Sequence, residues 1–163
     1  MTERPLWAPW RIEYVTGPKD GECVFCAAST SADEVEHLVV ERRSLCFTML
    51  NAFPYAPGHV MIVPHRHIAA LEELVDEEAL ELMQLARRAI GALTDAMTPH
   101  GFNVGLNLGV VAGAGIANHL HLHVVPRWQG DTNFMPLLAD TYVLPQALDA
   151  TREVLVKTLE RLP

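Results

Sequence analysis

Hydrophobic positions along the chain follow two periods. Between residues 37 and 64 lie three short runs, "HLVVER" (37–42), "LCFTML" (45–50) and "HVMIVP" (59–64), rich in β-branched and aromatic residues. Turn residues separate them, with "PYAPG" ahead of the third, and this pattern predicts an antiparallel meander. The period then lengthens. In "VDEEALELMQLARRAIGALTDAM" the residues Leu80, Met83, Ile90, Leu93 and Met97 recur at helical steps and predict the buried face of a helix. Asp76, Glu77 and Glu78 fall in its first turn, where carboxylates complement the helix dipole, and "TPHG" ends it.

"FNVGLNLG" then alternates, with Phe102, Val104, Leu106 and Leu108 on a predicted core face and Asn103, Gly105 and Asn107 on a polar one. A glycine-rich link, "VVAGAGIAN" (110–118), leads into a fifth strand, "HLHLHVVP", and "PQALDATREVLVKTLERL" closes the chain as a second helix carrying Leu148, Leu155 and Leu159. The first 22 residues, with Trp7, Trp10 and Tyr14 among prolines and glycines, read as an arm without regular structure, as does "GPKDGECVFC" at its end. The expectation is one α+β domain over residues 1–163, with about five antiparallel strands and two helices, the second of them C-terminal within 145–163.

Composition narrows the class. A chain of 163 residues can bury a single core, and half hydrophobic with a fifth charged residues is the balance of a soluble globular protein. The formal charge of −8 sets the overall field against polyanions and argues against a nucleic-acid polymer as partner. A local nest of backbone amides can still bind phosphate on an acidic protein. No apolar run reaches membrane-spanning length and no basic apolar leader opens the chain, so a cytoplasmic protein without a membrane partner is expected. Cys23-x-x-Cys26 points to metal or redox chemistry, while Cys46, inside an apolar run, reads as a small core side chain.

Residues 118–128, "NHLHLHVVPRW", hold three of the eight histidines. On a strand His119, His121 and His123 share one face and Leu120, Leu122 and Val124 the other, with Pro126 marking the end. His119 and His123 would stand roughly 13 Å apart at the backbone. One metal with bonds of about 2 Å does not hold all three. A hydrogen-bonded polar face, a metal pair completed from elsewhere, and a nucleophilic imidazole with helpers stay open.

His119-Leu120-His121-Leu122-His123-Val124-Val125 resembles the histidine-triad (HIT) motif, and the likeness extends through "NAFPYAPGHVMIVPHRH", "FNVGLNLG" and "AGAGIANHLHLHVVPRW" in that order. "LWAPWRIEYV", "GLNLGVVAGAG" and "VVPRWQGDTNFMP" are most similar to the branch of ATP adenylyltransferases and diadenosine tetraphosphate phosphorylases. The resemblance implies a HIT-like fold, a homodimer, and an enzyme that cleaves nucleoside polyphosphates through a covalent nucleotidyl-histidine on His121. It implies further that His123 and Asn107 meet the phosphates, and that the loop Gly113-Ala114-Gly115-Ile116 offers them backbone N–H groups. Asn51 then matches the ribose-binding position, Val24 and Phe25 an apolar wall of the base pocket, and Trp128 the substrate end. Gly115 stands where a different branch carries glutamine, which argues against a dinucleoside triphosphate hydrolase of the eukaryotic kind. Cys23, Cys26, His67 and His119 match a zinc site of some bacterial members and of the related hexose-phosphate uridylyltransferases, and a divalent cation such as magnesium could accompany the nucleotide. Phosphorolysis or hydrolysis, a nucleoside phosphoramidate hydrolase, and a nucleotide-binding adaptor or sensor remain the alternatives.

Overall fold

The computed structural model describes residues 22–131 and 147–162. Helix α1 (Val24–Thr30) precedes β1 (Val39–Arg42), β2 (Cys46–Leu50) and β3 (Val60–Pro64); the long helix α2 (Asp76–Met97), β4 (Gly101–Leu106), β5 (Leu122–Arg127) and α3 (Leu148–Leu159) follow. The five strands form one antiparallel sheet in the order β1-β2-β3-β5-β4. The predicted meander is present. The anchors Trp7, Trp10 and Tyr14, and residues 132–146, lie outside the described residues. Among the described residues no helix is long and apolar enough to cross a membrane.

Every residue of β2 and β3 is buried, because both faces of the sheet centre are covered. Cys46, Leu50, Val60, Ile62, Leu122 and Val124 pack with α2 and α3 on one face. Phe47, Met49, Met61 and Val63 pack with Phe25 and Ala28 of α1 on the other. Strands covered on both sides read as continuous apolar runs, as these do. Gly58, at φ 74°, takes the chain into β3 where a Cβ would come within 2.8 Å of both Leu93 and Met97. Only glycine fits that turn against α2.

Five expectations are corrected. The described residues hold three α-helices and not two, because the cysteine-bearing stretch becomes helical at Val24. "VFCAAST" has little intrinsic helix propensity, so packing decides it. Phe25 and Ala28 are buried, and the Arg42 guanidinium donates to the carbonyls of Ala28 (2.7 Å), Ser29 (2.9 Å) and Ser31 (3.1 Å) at the helix's C-terminal end. On α2 the buried stripe is Leu82, Leu85, Ala86, Ala89, Ala92 and Leu93, whereas Leu80 and Met83 are more than half exposed. Alanines let the helix lie close on the sheet, and a search for large apolar residues passes over them.

On β4, Phe102 and Leu106 pack against the α2 side, but Val104 is exposed on this edge strand and Leu108 lies beyond its end. Finally, Pro126 does not end β5, which continues to Arg127. Pairing with β3 ends at Val124, so Pro126 lies where β4 alone is the partner. His119 and His121 precede the ladder altogether, in a buried segment leading to Leu122.

Glu81 ties α2 to the β1–β2 turn by accepting from the N–H groups of Leu45 (2.6 Å) and Cys46 (2.7 Å) and from the Ser44 hydroxyl (2.7 Å). Burial pushes its carboxyl up, but these hydrogen bonds outweigh burial and hold it below the usual range. A depressed carboxylate contributes stability above its unfolded pKa and loses it as pH falls through the native value. Wild-type protein is therefore expected to lose stability below about pH 4.5. The Glu81→Gln variant should be about 1 kcal/mol less stable at pH 7 and show a shallower acid loss. Urea unfolding at pH 7 and pH 4 checks this, and parallel pH profiles would show Glu81 to be uninvolved.

Candidate active site and metal centre

His123 pairs with Met61 across the β3–β5 ladder, which puts it on the α1 face of the sheet. The preceding segment brings His121 and His119 to the same helix, with the Phe25 ring 4.9 Å from His121 and 5.3 Å from His119. His121 Nδ1–H donates to the carbonyl of His119 at 2.8 Å, which leaves Nε2 with its lone pair. Burial lowers the His121 pKa, opposed in part by that hydrogen bond, so the ring is neutral at pH 7.

His123 is set from behind by a residue that the sequence reading passed over. The Tyr55 backbone N–H donates to His59 Nδ1 (3.1 Å), so His59 Nε2–H donates to His123 Nδ1 at 2.9 Å. The proton of His123 is thereby assigned to Nε2, and His123 is a donor next to an acceptor imidazole. His59 is fully buried. Its signal was "APGHV": a polar side chain immediately ahead of a wholly apolar strand.

A pocket of about 270 Å³ opens over these rings. Val24, Phe25, Met49, Met61 and Ile116 give it apolar walls; Asn51, Asn107, Gly113, Gly115, His121 and His123 supply the polar lining. Of the residues singled out from the sequence, two do not line it. Ala114 is buried beside Gly113, and Trp128 stands past the far end of β5, its N–H donating to Asp131. Asn51 Oδ1 accepts from the Phe53 N–H, an Asx-turn contact, while the residue also lines the pocket. Gly113 has φ 88°, and its N–H closes the turn on the Val110 carbonyl at 3.0 Å, while the Ala114 N–H donates to the Gly109 carbonyl at 3.3 Å. Glu36, His37, Leu38, Ala52 and Phe53 also line the pocket and were not anticipated.

Cys23 and Cys26, ahead of β1 in the chain, and His67 and His119, beyond β3, come together with all ligand atoms within 4.8 Å of one another. Cys26 Sγ lies 3.1 Å from His67 Nδ1 and 3.6 Å from His119 Nδ1, and Cys23 Sγ lies 3.4 Å from His119 Nδ1. Tetrahedral bonds of about 2.3 Å to sulfur and 2.0 Å to nitrogen separate such ligands by roughly 3.5 Å. His119 Nε2–H donates to the Pro64 carbonyl at 3.0 Å, which turns the Nδ1 lone pair toward the thiols as a metal ligand requires. The donor set fits a tetrahedral zinc ion. Nothing among the described residues supports an accompanying magnesium ion.

The HIT domain family model matches residues 32–130. The chain belongs to the HIT domain family. An AP-4-A phosphorylase of Mycobacterium tuberculosis is 43% identical over 167 residues, covering 97% of this chain and 85% of that protein. An adenosine 5'-monophosphoramidase of Schizosaccharomyces pombe is 27% identical over 105 residues, covering 64% of this chain and 74% of that protein. Among solved structures, a zinc-bound histidine triad family protein of Mycobacterium smegmatis superposes with a TM-score of 0.69 at 23% identity, covering 86% and 94% of the two chains. The HIT match begins after α1, so the metal group joins two cysteines ahead of the matched region to two histidines within it.

Cys46 gives an internal control for the metal group, because burial, with the charges of Glu81 and Glu78, pushes its thiol up to about 12. Zinc-loaded protein treated with iodoacetamide at pH 8 is expected to take up no label. A chelator should expose Cys23 and Cys26 to labelling, and denaturation all three cysteines. Mass spectrometry counts the labels; full labelling of Cys23 and Cys26 in zinc-supplemented protein would exclude the metal centre. The Cys23→Ser variant should lose stoichiometric zinc and melt several degrees lower.

Proposed function

We propose that this HIT protein cleaves dinucleoside polyphosphates, with diadenosine tetraphosphate as substrate and inorganic phosphate as acceptor. The observation that carries the reading is His121: neutral, held by its Nδ1–H on the His119 carbonyl, and lining a nucleotide-sized pocket beside the donor His123. His121 Nε2 attacks an α-phosphorus, the bond from that phosphorus to its bridging oxygen breaks, and ATP leaves. His123 Nε2–H donates to the departing oxygen. A phosphate oxygen then attacks the adenylylated phosphorus, breaks the P–N bond and releases ADP with free His121. Asn107 and the N–H groups of Gly115 and Ile116 are the proposed donors to the α-phosphate oxygens. Asn51 serves the ribose, and Val24 and Phe25 the base.

Cys23, Cys26, His67 and His119 hold zinc in this reading, and its contribution is a rigid tie between α1 and the histidine segment. The similarity to the phosphorylase supports the substrate class, since it spans nearly the whole chain. The exposed Val104 on edge strand β4 is consistent with a homodimer that extends the sheet.

Incubation with diadenosine tetraphosphate should yield ADP and ATP when phosphate is present, and intact-mass spectrometry without phosphate should find an adenylylated protein. AMP and ATP formed irrespective of phosphate would make the enzyme a hydrolase. Cleavage of adenosine phosphoramidate alone would transfer it to the other enzyme class, and binding without cleavage of either would make it an adaptor. The His121→Ala variant is expected to lose turnover by roughly a thousandfold or more while nucleotide affinity stays within a few-fold.

A further inference from the structure

Glu36 and His37 line the pocket, and the chemistry proposed above uses neither. The pocket runs across the sheet, from His121 and His123 at β5, past Met61 on β3 and Met49 on β2, to the turn that opens β1. Three strand spacings of about 4.8 Å separate β5 from β1 by about 14 Å. A nucleoside monophosphate reaches roughly 11 Å from its phosphorus to the far edge of its base, and a hydrogen bond of about 3 Å makes up the rest. A phosphate held at His121 therefore puts the base edge at residues 36–38.

This turn is built to hold a shape. Asp33 accepts from the Glu36 N–H through Oδ1 (2.9 Å) and from the His37 N–H through its carbonyl (3.4 Å). Val39 N–H returns to the Glu34 carbonyl at 2.8 Å. Leu38 takes φ 57°, a left-handed conformation that a γ-branched residue adopts at a cost, between the two polar side chains and the first strand. Among the described residues no hydrogen bond or ion pair engages the side chain of Glu36 or of His37. The apolar wall beside them, Val24 and Met49, has nothing to offer a base edge.

We propose that Glu36 and His37 read the Watson–Crick edge of adenine, the carboxylate accepting from the N6 amine and the imidazole N–H donating to N1; this rests on the nucleotide reading of the pocket. Hypoxanthine reverses both polarities, since its O6 faces the carboxylate and its N1 carries a proton. The two bases differ at no other position, so the ribose and phosphate contacts cancel in the comparison.

Titration calorimetry of the full chain with AMP and with IMP tests the assignment. Wild type should bind AMP about tenfold more tightly than IMP. In the Glu36→Gln variant the amide can donate to O6, and the ratio should fall toward one; in His37→Ala the AMP affinity should drop several-fold with IMP little changed. Circular dichroism monitors folding, and Glu36→Ala provides a second variant at the exposed position. A wild-type ratio near one, or a ratio unmoved in Glu36→Gln, overturns the base-edge role even where diadenosine tetraphosphate is cleaved. Wild type that binds neither nucleotide overturns the proposed function together with this inference.

Discussion

The His119 peptide carbonyl holds the His121 ring through its Nδ1–H, while the His119 side chain belongs to the metal group. One residue thus fixes the tautomer of the neighbouring imidazole and is itself fixed from two sides, by the Pro64 carbonyl and by the cysteines. Burial makes the arrangement matter. Neither ring can be charged cheaply where both are nearly inaccessible, so their hydrogen bonds decide which nitrogen faces the pocket.

Helix α1 shows how closely the candidate metal site and the pocket are joined. Cys23 and Cys26 point to the metal group, while the two residues between them, Val24 and Phe25, line the pocket. A helical turn of such poor propensity persists because its two ends are held from outside. The cysteines anchor the start, and Arg42 binds the carbonyls at the finish while its guanidinium lies over the Phe47 ring. The second histidine relay, Tyr55 to His59 to His123, anchors β5 from the β3 side in the same manner. Donor and acceptor imidazoles sit side by side because separate backbone groups orient each one.

Much of the fold was legible in the chain. The three apolar runs, the helix that starts at Asp76 and the alternation of Phe102 and Leu106 all reappear, since period and turn residues report local geometry directly. The failures have physical causes. Leu80 and Met83 were chosen over Ala86, Ala89 and Ala92 because size weighs more than closeness in a one-dimensional pattern. Residues 24–30 carry no helical period, and their structure comes from contacts with β1 and the histidine segment. His59 was passed over because its role is a hydrogen bond across 64 positions of sequence. Glu36 and His37 were passed over for a similar reason, since strand order alone brings their turn to the pocket.

The sequence by itself determined the five strands, the helix that starts at Asp76 and the C-terminal helix, and the residue types able to do phosphorus chemistry. Those properties are local: a strand turns its side chains over every second residue, and an imidazole has the same two nitrogens wherever it sits. Tertiary structure alone decided that four scattered candidate metal ligands meet and that His121 is neutral with Nε2 facing the pocket. It also decided which side of α2 is buried. Each of these depends on burial and on partners distant in the chain, and no short window of sequence contains either.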